Sequence, residues 1–141
     1  PDGKHLLVRC RRDHRGPSSE RFLKIGSKGR VAEKLVFDAF GDEGRVSPDG
    51  KRILFQRGGA GLYRKGYTGS QSAQVWLWDG QDFSKVAADL QGCRSPRWSS
   101  DGEKLFYISG KWWTNIFSFI TESYNNINII IKIVFYIIRR L

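Results

Sequence analysis

Three Asp-Gly turns, each running into an apolar stretch, constrain this 141-residue chain more than any other feature. Pro1-Asp2-Gly3-Lys4 leads into Leu6-Leu7-Val8, and Ser47-Pro48-Asp49-Gly50-Lys51 leads into Ile53-Leu54-Phe55. Ser99-Ser100-Asp101-Gly102-Glu103-Lys104 leads into Leu105-Phe106-Tyr107-Ile108. Asp2 and Asp49 are 47 positions apart, and Asp49 and Asp101 are 52 apart. Pro48 presets φ for the second position of a type I turn, and Asp49 suits the third. Gly50 then takes the left-handed conformation that closes a bulged hairpin. Each copy reads as strand, tight turn, strand, with Asp2, Gly3, Asp49, Gly50, Asp101 and Gly102 as the turn residues. Three copies at a spacing near fifty residues predict a repeated unit of about four strands.

The segments between the turns support that unit. His5–Cys10, Arg21–Ile25, Glu33–Phe37, Arg52–Gln56, Gln74–Trp78 and Ser84–Ala88 are short, β-prone runs separated by polar and glycine-containing stretches. Ile53-Leu54-Phe55 and Val75-Trp76-Leu77-Trp78 are apolar on both faces of a strand, so both faces expect cover. The blades of a propeller supply such cover, as does the centre of a sandwich. The long repeat period favours the propeller, whose closed forms use typically about 4–8 blades. Residues 1–110 therefore read as all-β: about two four-stranded blades and the start of a third.

One connection is unusually long. Residues 57–73, RGGAGLYRKGYTGSQSA, hold five glycines, two tyrosines and three cations, and loops of this length are often functional. Gly61 and Gly66 have the spacing of a phosphate loop, but Tyr67-Thr68 follows where Lys-Ser/Thr is needed. Ser70 lacks the glycine pattern of a nucleophile elbow. Tyr63, Arg64, Lys65 and Tyr67 remain as candidate contacts for a ligand, against the alternative of a plain variable loop.

Charge and cysteine content narrow the function further. Residues 1–110 hold 20 Lys and Arg against 13 Asp and Glu. The densest basic patch, Arg9, Arg11, Arg12 and Arg15 beside His14, is either a phosphate site or a solvated strand end and loop. It lacks interleaved aromatic residues, which disfavours a nucleic-acid module. Cys10 and Cys93 are too few for a disulfide framework. Cys10 and His14 have no second ligand pair, so no metal site is expected. No cofactor motif and no catalytic nucleophile–base constellation is present. The absence of methionine and the start within a turn motif predict a portion of a longer polypeptide.

Residues 111–141 have another composition. They carry nine isoleucines, whereas residues 1–110 carry three, and they contain no Gly, Pro, Ala or Asp. The apolar run is interrupted by Lys132 and is shorter than the ~20 residues that span a bilayer. This tail is expected to lie outside the native fold, as a shifted reading frame or artificial gene end; a membrane anchor is the competing reading.

The Asp-Gly turns, with Trp98 before one and an apolar triplet after each, resemble β-propeller repeats of the TolB and tricorn-protease type. GRVSPDGKRILFQRGG, at residues 44–59, and YRKGYTGSQSAQVWLWDG, at 63–80, look like the N-terminal propeller of tricorn-like serine peptidases. The resemblance covers residues 1–110. It implies a non-catalytic propeller that guides or binds peptide and protein substrates, with further blades and a peptidase domain elsewhere in the polypeptide. It carries no catalytic residue onto this chain. It also implies a periplasmic or other extracytoplasmic location. The alternative is a TolB-like protein-binding scaffold without a protease.

Overall fold

A computed structural model describes residues 3–11, 20–29, 31–59, 67–88, 92–109, 121–124 and 127–131. These form eleven strands: β1 (His5–Cys10), β2 (Arg21–Gly26), β3 (Lys34–Leu35), β4 (Asp42–Val46), β5 (Ile53–Arg57), β6 (Gln74–Trp78), β7 (Phe83–Ala87), β8 (Cys93–Trp98), β9 (Lys104–Ser109), β10 (Thr121–Tyr124) and β11 (Ile127–Ile131). No helix occurs among the described residues. The fold class is all-β.

The strands make three sheets, ordered β1-β2-β3, β4-β5-β6-β7 and β10-β11-β9-β8. The four-strand unit expected from the repeat is complete in the second sheet, an antiparallel meander. Each strand that follows an Asp-Gly turn (β1, β5 and β9) pairs antiparallel with a sequence neighbour. The described residues do not close into a ring or barrel. The third sheet departs from the meander, because β11 runs parallel to β9.

Most strands fall within one residue of the sequence reading at each end, and two segments depart from it more. The run Glu33–Phe37 pairs only at Lys34–Leu35, because Phe37 turns into the core and is buried. The adjoining Val36 N–H still donates to Phe22 O at 3.0 Å. Cys93–Trp98 forms a strand although it contains Pro96. Proline is tolerated there because β8 lies at a sheet edge, and the register shifts between Arg94 and Arg97 around it.

The second sheet is covered on both faces. Ile53 lies opposite Trp78 and Phe55 opposite Trp76, so these four share one face; Leu54 lies opposite Leu77 and shares the other with Val75. Ile53 and Phe55 pack with Phe22 and Phe37 of the first sheet's side, with Leu7, Trp76 and Trp78 around them. Leu54, Val75 and Leu77 pack instead with Ala87, Cys93, Leu105 and Tyr107, reaching the third sheet. Phe55 and Leu54 are both fully buried although they are adjacent in sequence. Each such side chain contributes about 1.5–3 kcal/mol through burial. The absence of alternation in these strands thus has its cause in the stacking of sheets.

Aromatic geometry sets the first interface. Phe22 meets Phe37 edge-on at 5.5 Å and Phe55 at 5.9 Å. Gly44 permits the close approach, since a Cβ there would overlap the Phe22 ring.

Candidate functional site

Two hairpins repeat one hydrogen-bond pattern. Ser47 N donates to Arg52 O at 2.9 Å, Arg52 N donates to Ser47 Oγ at 2.9 Å, and Gly50 N donates to Ser47 O at 2.9 Å. In the next copy Ser99 N donates to Lys104 O at 2.9 Å, Lys104 N to Ser99 Oγ at 2.8 Å, and Gly102 N to Ser99 O at 3.1 Å. Each serine hydroxyl also donates to the turn carboxylate, Asp49 or Asp101. Gly50 and Gly102 both have φ +75°, and Gly3 has φ +64°. Asp2 lies outside the described residues. The Ser47 hydroxyl, then the Lys51 N–H, holds the Asp49 carboxyl below its ordinary value. Ser99 and the Glu103 N–H do the same for Asp101.

The first strands of the second and third sheets meet through a further repeated feature. Both β4 and β8 carry a register shift, between Asp42 and Arg45 and between Arg94 and Arg97. Within these bulges Glu43 (φ 48°) and Ser95 (φ 53°) are the described non-glycine residues with positive φ. Ser95 Oγ donates to Glu43 Oε1 at 3.3 Å, and Ser95 N donates to Gln56 Oε1 at 3.3 Å. Trp98 Nε1 donates to Arg45 O at 3.0 Å, with the Arg52 guanidinium 4.8 Å from the indole centre. No local motif announces the bulges. Their sequence signal was the 52-residue interval, which aligns Glu43 with Ser95.

Beside Gln56, at the end of the strands away from the Asp-Gly turns, lies a cavity of about 630 Å³. Among the described residues, Arg9, Glu20, Asp42, Gln56, Gln71 and Gln74 line it together with Gly58 and Gly59. Arg9 pairs with Glu20 at 3.0 Å and with Asp42, and Arg11 pairs with Glu20 at 2.8 Å. These pairs partly neutralise the basic patch, which weakens its reading as a phosphate site. The lining is thus rich in hydrogen-bonding side chains.

The long loop closes at its base on this cavity. Gly59 N donates to Gln71 O at 2.9 Å, and Ser72 N donates to Gly69 O at 2.9 Å. Tyr67 is half-buried at that base: Ser72 Oγ donates to Tyr67 O at 3.3 Å, and its hydroxyl accepts from Gln71 N at 3.5 Å. Tyr67 itself does not line the cavity; it bonds to Gln71 and Ser72, which do. Tyr63, Arg64 and Lys65, the other candidate contacts, lie outside the described residues. Among the described residues no three His, Cys, Asp or Glu side chains are grouped to hold a metal ion. No helix among them is long and apolar enough to cross a membrane.

No family model, curated protein or solved structure matches this chain.

Proposed function

We propose that this chain is a non-catalytic portion of a β-propeller that binds or guides peptide and protein segments, as in tricorn-like serine peptidases. The observation that carries the reading is the repetition of the Ser-x-Asp-Gly hairpin, hydrogen bond for hydrogen bond, at the heads of two sheets that stack on a shared core. Sheets 2 and 3 then correspond to successive blades, and β1-β2-β3 to the outer strands of a preceding one. The polar cavity at the loop base is the proposed contact surface, and Tyr63, Arg64, Lys65 and Tyr67 of the long loop are the proposed further contacts. Peptide capture there uses amide hydrogen bonds to Gln56, Gln71 and Gln74, with Arg9 and Asp42 reading charge. A TolB-like scaffold uses the same surface without a peptidase in the intact polypeptide.

Panning the immobilised 141-residue chain against a random peptide library tests this reading. Enriched peptides should bind in fluorescence anisotropy and weaken when Gln71 and Gln74 are replaced by alanine. A library that yields no binder would overturn the proposal.

A further inference from the structure

The two interfaces between sheets are related by the repeat, yet they are filled differently. At the second interface, Trp98 inserts its indole beside Arg52, and Arg52 Nη2 reaches Gly102 O at 3.4 Å. Pro48 closes the same end, standing 3.2 Å from where a Cβ on Gly102 would be. One repeat earlier, the position of Trp98 is held by Val46, that of Arg52 by His5, and that of Gly102 by Gly50. Valine fills far less space than an indole, and among the described residues nothing lies within 4 Å of the Cβ position of Gly50; Pro1, one repeat before Pro48, lies outside them. A groove of about 590 Å³ opens there. Leu6, Val36, Val46, Ile53 and Trp78 supply its apolar lining. Leu6 is 51% exposed on β1, the edge strand of its sheet.

The rim of the groove is basic. Lys24 and Lys51 are exposed along it, with His5 beside them, and Asp49 is the one carboxylate among its described lining residues. That carboxylate already accepts hydrogen bonds from Ser47 and from Lys51 N. At the second interface Glu103 stands where Lys51 stands here, so that lysine is specific to the open groove.

We infer that this groove takes one aromatic side chain, flanked by carboxylates, from a peptide partner, as its repeat-related slot takes Trp98. The inference rests on the peptide-binding reading above and assigns it a ligand class and a second contact. The indole of the ligand lies against Val46 and Trp78, where desolvation of a large aromatic surface supplies most of the affinity. The flanking carboxylates meet Lys24 and Lys51, which contribute orientation and encounter rate more than affinity.

Fluorescein-labelled Glu-Glu-Trp-Glu-Glu and Glu-Glu-Ala-Glu-Glu, titrated with the full chain in anisotropy, test it. The tryptophan peptide should bind at least about tenfold more tightly than the alanine peptide. Val46→Trp, which fills the groove as Trp98 fills its counterpart, should abolish that preference while circular dichroism stays unchanged. Lys51→Glu, an exposed substitution with little risk to folding, should weaken binding about threefold at low salt. Equal binding of the two peptides, or binding unaffected by both substitutions, would overturn the groove while leaving library-selected ligands of the cavity intact. Dimerisation of the chain that Val46→Trp dissolves would assign the groove to a second copy and overturn it too.

Discussion

Ser95 Oγ donates to Glu43 Oε1 across 3.3 Å, and these two residues stand 52 positions apart, the interval that also separates Asp49 from Asp101. Both have a positive φ within a bulge of a sheet's first strand. Left-handed backbone costs a residue with a side chain about 1–2 kcal/mol, so a pair of such residues at matching positions is a feature of the repeat. The bulges turn the two strands so that Glu43, Gln56 and Ser95 meet.

Ser95→Gly should therefore lie within about 1 kcal/mol of the parent, since relief of strain offsets the lost hydroxyl bond. Ser95→Val should cost about 2 kcal/mol or more, because a β-branched side chain at positive φ is strongly disfavoured. Urea denaturation of the two variants measures the difference. Equal midpoints would show that the bulge does not hold this conformation.

Gly50 and Gly102 share φ +75°, but among the described residues only Gly102 has neighbours close to its Cβ position. Gly50→Ala should cost about 1 kcal/mol from backbone conformation alone. Gly102→Ala should cost more, since its Cβ must also displace Pro48, 3.2 Å away. A ranking in the opposite order, read from thermal midpoints, would contradict the packing of one turn against the next.

Ser47 is fully buried, and its hydroxyl joins Arg52 N to Asp49. Ser47→Ala leaves that N–H without its acceptor and should cost about 1–3 kcal/mol. The same hydroxyl holds the Asp49 carboxyl below its ordinary value in the folded state, so the unfolded chain binds more protons there. The stabilisation is complete above that value and is lost as pH falls through the folded pKa. Unfolding midpoints followed from pH 6 down to about pH 2 should fall less steeply in the Ser47→Ala, Ser99→Ala double variant than in the parent. Parallel profiles would remove the serines from the linkage.

The tail provides a fourth expectation. β11 joins β9 in parallel, whereas the other strand pairs are antiparallel, and its isoleucine-rich composition lacks the turn residues of the repeat. A chain ending at residue 110 should keep the near-ultraviolet circular dichroism of Trp76, Trp78 and Trp98 and unfold cooperatively. Loss of that signal on truncation would make the tail part of the fold.

The hairpins were legible in the sequence because a turn is a local object. Asp-Gly after Pro or Ser specifies the left-handed glycine and the following strand without reference to anything distant. Periodicity also announced two-sided burial at Ile53-Leu54-Phe55, since a strand covered on one face must alternate. What covers each face was not legible. Phe22 and Phe37 on one side, and Leu105 and Tyr107 on the other, reach the second sheet only through stacking. The bulges at Glu43 and Ser95, the cavity beside Gln56 and the groove at Val46 arise where strands distant in sequence come together. Only the tertiary structure decides them, because each depends on how much space two sheets leave between them, and local propensity carries no record of that distance.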